Sequence, residues 1–214
     1  MHDLKLNSHF EHSYRIVSHP KFLQRKGLGN EVPFFIDTYR PEQEVAVQRQ
    51  IDILTTRLET EGIPVARLPM YRVVLDMLRR EERLDALFAY EKRLPKHGAR
   101  RSFLSEMEKF SDPAGGKRLQ KEIFHRLEEV PERKIVFMYQ LGTVFPYLRT
   151  HTLLNNLHSV ITSVPLIAFF PGEYVSSERD GFYLSLFGKF QGDYYRAFQL
   201  GDYIERGQIR ADVE

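Results

Sequence analysis

Four polar side chains, Arg149, His151, Asn155 and Asn156, stand in the stretch from Tyr139 to Tyr174. Its thirty-six residues carry only Arg149 and Glu173 as formal charges, in a chain that is 28% charged. A guanidinium, an imidazole and two amides among apolar neighbours are groups able to hold an anion or a polar partner. Buried polar groups need hydrogen-bond partners, so each is either satisfied internally or presented to something else. Asn is a poor helix former, and consecutive helical positions point about 100° apart, so one of Asn155 and Asn156 can face the core while the other faces a site. Two readings stay open: a binding cluster, or a polar network that fixes strand–helix packing. His151 and His158 lie seven apart on one helix face. Metal ligation generally needs an i, i+3 or i, i+4 pair with a third ligand, so capping or core roles are the better reading and no metal is expected.

Other constellations carry less. Asp37 and Glu173 follow apolar runs, but nothing places either near a nucleophile, and no Ser-His-Asp spacing or nucleophile elbow is present. Gly27-Leu28-Gly29-Asn30 precedes an apolar run and lacks Lys-Ser/Thr. A phosphate-cradling loop follows a strand and opens a helix, so this segment reads as a turn. Gly115-Gly116-Lys117-Arg118 reads as a helix entry. Tyr194, Tyr195, Arg196 and Phe198 have the composition of a base-stacking platform or of a protein interface, where aromatics and Arg are the usual anchors. No catalytic residue and no cofactor is assigned.

The elements that would position these groups alternate strand and helix. Val32–Tyr39 is a candidate buried strand, and Pro41 opens a helix at its tolerated first-turn position. Val47, Ile51, Leu54 and Leu58 form one stripe of that helix, Gly62 suits its C-terminal cap, and Ile63–Leu68 is a second strand. This order is that of a parallel βαβ crossover. Residues 71–130 read as a helical insertion with stripes at Val74–Phe88, Phe103–Phe110 and Leu119–Val130. Ile135–Leu141 and Val164–Phe170 are further core strands, with Thr152 as the expected cap of the helix between them. Phe182–Phe187 and Asp193–Leu200 alternate loosely, as edge strands or a final ribbon do. The expected fold is α/β, a mostly parallel central sheet with flanking helices, similar to a nucleotide-binding domain without a phosphate loop. A single domain over 1–200 with a polar tail at 201–214 is expected.

Composition bounds the function classes. With 214 residues and 42% hydrophobic content, the chain has the size and composition to bury about 70% of its unfolded surface. A net charge of +2 is too balanced to imply nucleic-acid binding by itself. The sequence holds no cysteine, which excludes disulfides, thiolate nucleophiles and Cys-based metal sites. Its longest apolar runs fall far short of the roughly 20 residues that span a bilayer, and the N-terminus lacks the order of a signal peptide. A cytoplasmic protein with no membrane contact is expected.

GLGNEVPFFIDTYRPEQE (27–44), GTVFPYLRTHTLLNNLHSVITSVPLIAFFPGEY (142–174) and LSLFGKFQGDYYRAFQL (184–200) together resemble the BrxB family of BREX bacteriophage-defence systems. The resemblance spans about Phe22 to Leu200 and is carried most specifically by the central block. It implies a prokaryotic protein acting beside a DNA methyltransferase, a large ATPase and the phosphatase-like PglZ, and it brings no catalytic residues with it. The combined expectation is a non-catalytic adaptor that docks onto a larger BREX protein, most readily PglZ, with Tyr194, Tyr195, Arg196 and Phe198 at the interface. Two alternatives stand beside it. One is a DNA-binding accessory module using Arg79–Arg80, Arg100–Arg101 and Lys117–Arg118; the other is a nucleotide sensor centred on Arg149, His151, Asn155 and Asn156.

Overall fold

The structure is a computed structural model that describes residues 2–26, 33–93, 113–145, 147–177, 181–186, 190–191 and 197–205. The Phe103–Phe110 stripe, the Gly27–Asn30 turn and the tail beyond Glu205 lie outside them. The chain begins with two helices, α1 (His2–Val17) and α2 (Pro20–Leu23), ahead of strand β1 (Phe34–Tyr39). A 3-10 turn at Pro41–Gln43 leads into α3 (Glu44–Thr60), followed by β2 (Val65–Pro69). The helical middle comprises α4 (Met70–Arg80), α5 (Leu84–Arg93) and α6 (Pro113–Glu128). Then come β3 (Ile135–Tyr139), α7 (Leu141–Val144), α8 (Thr150–Leu157), β4 (Leu166–Pro171), β5 (Glu173–Ser177), β6 (Gly181–Leu186), β7 (Phe190–Gln191), β8 (Phe198–Gln199) and α9 (Asp202–Glu205).

The fold is α/β. A five-stranded parallel sheet has the order β2-β3-β4-β1-β8, and β5-β6-β7 form a separate antiparallel sheet. β1, β3 and β4 are almost wholly buried because both faces of the sheet are covered, which is why they read as continuous apolar runs rather than alternating ones. Phe35, Phe137 and Phe169 join α1 and α3 in one core, while Phe34, Ile36, Val136 and Ala168 join α4, α6, α7 and α8 in the other. The predicted β1–α3–β2 unit is parallel, but its strands are not neighbours: β4 and β3 lie between them. The chain therefore crosses over two strand positions on one face and returns in single steps, β2 to β3 to β4, on the other. Opposite directions on opposite faces are what right-handed crossovers require.

Local chemistry sets the element ends. Val47, Ile51, Leu54 and Leu58 are all buried, as their spacing predicts. α3 closes in a Schellman arrangement, with Gly62 N–H donating to Glu59 O and Ile63 N–H to Leu58 O, and Gly62 at φ +76. α8 begins earlier than expected: Arg149, extended at φ −89 and ψ 129, is the capping residue in place of Thr152, and Thr150 is buried in the first turn. Of the two C-terminal segments, Gly181–Leu186 pairs in the antiparallel sheet, and the Asp193–Leu200 stretch contributes β8 to the edge of the main sheet. Among the described residues no helix is long and apolar enough to cross a membrane.

Candidate functional site

Open parallel sheets collect ligands at the carboxyl ends of their strands, and here that edge is bridged by a chain of polar side chains. Tyr39, the last residue of β1, donates its hydroxyl to Glu44 Oε2 at 2.5 Å. Gln48, one turn further along α3, donates to Glu44 Oε1 at 2.9 Å. Gln140, the residue after β3, donates to Gln48 Oε1 at 3.3 Å. The chain thus passes from the end of β1 to the end of β3 across the end of β4. A Cβ built on Gly142 would sit 2.7 Å from Pro171 Cγ at the end of β4 and 3.9 Å from Glu44 Oε2, so only glycine lets α7 approach this closely. Gly172 N–H closes the edge by donating to Tyr39 O at 2.8 Å.

Two features give this edge a distinct chemistry. Gln140 occupies the left-handed region, φ 62 and ψ 30, an unfavourable conformation for a residue with a Cβ, and its Oε1 is buried without a hydrogen-bond partner. Glu44 lies in the first turn of α3, where a helix attracts anions. A phosphate-binding loop would offer backbone N–H groups there; this chain offers a carboxylate, which repels phosphate. Burial, reinforced by the hydrogen bond to Glu44, pushes the Tyr39 hydroxyl well above its ordinary value, so it stays a donor across the physiological range.

Two further polar clusters tie helices to the same sheet. Arg67 on β2 donates to Tyr139 Oη at 2.9 Å and pairs with Asp52 of α3. Burial raises the Tyr139 hydroxyl, and the Arg67 charge opposes that rise. Asp37, buried in mid-β1, accepts from Ser13 Oγ at 2.8 Å and lies 2.7 Å from His9 Nε2, which anchors α1. The hydrogen bond to Asp37 raises the His9 imidazole above its ordinary value, with burial opposing.

The cluster expected from sequence sits elsewhere, on α8. Arg149 is exposed, and its carbonyl accepts from Leu153 N–H at 3.0 Å. His151 lies in the first turn, with a side chain outside the described ones. Asn155 is exposed and Asn156 half-buried, and the Asn156 carbonyl accepts from Gln120 Nε2 of α6 at 2.5 Å. The His158 ring stands edge-on to Phe34, with centroids 4.8 Å apart. The contacts of α8 thus run to α6 and β1. Of the proposed interface residues, Phe198 is half-buried in β8, 6.2 Å from the Phe35 ring, while Tyr194, Tyr195 and Arg196 lie outside the described residues. Sequence reasoning missed Tyr39, Glu44, Gln48 and Gln140. The available signal was a Tyr and a Glu flanking the strand-to-helix turn around Pro41.

The BrxB family model, described as BREX protein BrxB, matches residues 66–200. This span runs from β2 to the end of β8 and includes β3, β4, α8 and Gln140. The chain belongs to the BrxB family. A BREX protein BrxB of Bacillus cereus (strain H3081.97) is 34% identical over 200 residues, covering 92% of this chain and 98% of the relative. A second BREX protein BrxB, from Escherichia coli O9:H4 (strain HS), is 25% identical over 185 residues, 86% of each chain. The Bacillus alignment is long enough to take in most of the chain, so the BrxB relation is not confined to one motif. As a BrxB protein the chain is a BREX component. No solved structure matches it.

Proposed function

We propose that the chain serves BREX phage defence as a non-catalytic adaptor that docks onto a larger BREX protein, the phosphatase-like PglZ before others. One observation carries this reading. At the carboxyl edge of the sheet, where α/β enzymes gather their reacting groups, Tyr39, Glu44, Gln48 and Gln140 hydrogen-bond to one another. A carboxylate that accepts from two neighbours, beside a hydroxyl held protonated, acts as a brace between strand ends more readily than as a general base. Membership of the BrxB family supports the setting, a multi-protein BREX system, in which we take PglZ as the partner and the cytoplasm as the location.

The docking surface we favour is the outer edge beside β8. Phe198 lies in the outermost strand of the five-stranded order, and Tyr194, Tyr195 and Arg196 immediately precede it in sequence. An edge strand offers backbone groups for pairing, and aromatic and Arg side chains are the common anchors of protein interfaces. Co-expression of the tagged chain with PglZ tests this. PglZ should be retained by the wild type and lost with Tyr194→Ala/Tyr195→Ala/Phe198→Ala. Equal retention by wild type and variant would remove this surface from the account.

A further inference from the structure

Three arginines of α4 stand outward over two sunken carboxylates. Asp76 lies 2.9 Å from Arg79 Nη1 and 3.4 Å from Arg72 Nε, and it also pairs with Arg126 of α6. Glu122 of α6 lies 2.9 Å from Arg80 Nη1 and 3.4 Å from Arg126 Nε. The depth of these groups differs by sign. The Asp76 and Glu122 side chains are 25% and 5% exposed, whereas those of Arg72, Arg79 and Arg80 are 65%, 55% and 48% exposed. Four guanidiniums against two carboxylates leave a positive excess, and the layering sends it outward.

We propose that this α4–α6 face binds the phosphate backbone of nucleic acid. Each guanidinium presents five N–H donors in a planar fork suited to phosphate, and Arg79 and Arg80 each donate one nitrogen to a carboxylate. The carboxylates orient the forks in advance. Arg72 and Arg79 are seven residues apart on one helix, about 10 Å along its axis, so the charges form a row rather than a point. Lys117 and Arg118 lie in the first turns of α6, the helix that packs against α4, and Arg118 pairs with Glu81 at the end of α4 at 3.1 Å, so Lys117 adds the further positive charge. A protein interface concentrates aromatic and apolar anchors at its centre and keeps charge at the rim. Here the outward groups over the two carboxylates are guanidiniums, whose planar forks match phosphate, and that favours a phosphate backbone over an acidic protein surface.

The test is fluorescence anisotropy of the full chain with fluorescein-labelled mixed-sequence duplex DNA over a salt series. Three phosphate contacts predict a log–log salt slope of about −3, and Arg72→Gln/Arg79→Gln should reduce it by about two. Arg72→Lys/Arg79→Lys should keep the slope, because charge rather than fork geometry sets counterion release. Arg57→Gln, between α1 and α3 on the other side of the sheet, should leave binding unchanged. No rise in anisotropy at low salt with folded protein overturns the proposal, as does equal binding by the Gln variant. Displacement of the DNA by polyglutamate at matched charge concentration overturns it in favour of an acidic protein partner.

Discussion

Gln140 donates its side-chain amide to Gln48 Oε1 at 3.3 Å, across ninety-two residues of sequence, while its own backbone sits at φ 62. The contact joins the end of β3 to the helix that follows β1, over the end of β4 that lies between them. A strained residue held by a side-chain bond at the carboxyl edge of a parallel sheet is the feature on which the non-catalytic reading turns. It makes that edge a rigid, bonded surface.

Gln140→Val adds a β-branched side chain to a left-handed conformation and removes the bond to Gln48. It should destabilise the fold by about 1–3 kcal/mol, whereas Gln140→Gly relieves the strain and should stay within about 1 kcal/mol of the native chain. Urea unfolding of both variants checks this. Equal losses would show that the positive φ carries no strain.

Gly142→Ala forces a methyl group against Pro171 at 2.7 Å. The backbone of α7 or the end of β4 must give way, at a cost of about 1–3 kcal/mol. A clear fall in melting temperature is expected. An unchanged value would mean that α7 and the end of β4 separate freely.

The His9–Asp37 contact makes the docking of α1 depend on pH. The folded-state value of His9 is raised above 6.5, chiefly by the hydrogen bond to Asp37. Its contribution is therefore fully present below pH 6.5 and is lost as pH rises through the higher folded value. Chemical denaturation across this range should show stability declining toward alkaline pH, and His9→Ala should flatten that part of the profile. An identical profile in the variant would count against the contact. The half-exposed imidazole keeps the effect small.

Asn155 points to solvent, so Asn155→Leu should fold normally and shift stability by less than about 0.5 kcal/mol. Normal folding with lost phage protection in cells would assign Asn155 to recognition. A large drop in melting temperature would instead mark it as part of the packing of α8.

The core strands were legible because burial on both faces writes them as unbroken apolar runs, and α3 was legible because all four stripe positions are aliphatic. Helix α1 was not. Its inward stripe runs Leu6, Phe10, Ser13, Val17, and the third position is polar because it serves Asp37. The order of the sheet was also out of reach, since a βαβ unit reads alike whether its strands are neighbours or three positions apart. The polar edge depended on that order. Gln48 and Gln140 meet only because β3 and β1 flank β4. The Arg149–Asn156 cluster was conspicuous through its lack of charged neighbours, a property it shares with any segment packed between a sheet and a second helix.

The most direct test of the adaptor account is size-exclusion chromatography of the purified chain mixed with purified PglZ, at low and at high salt. A stoichiometric complex that survives high salt is the predicted result, because an interface anchored by aromatic groups is weakly screened. Separate elution of two well-folded proteins at both salt concentrations would contradict the account.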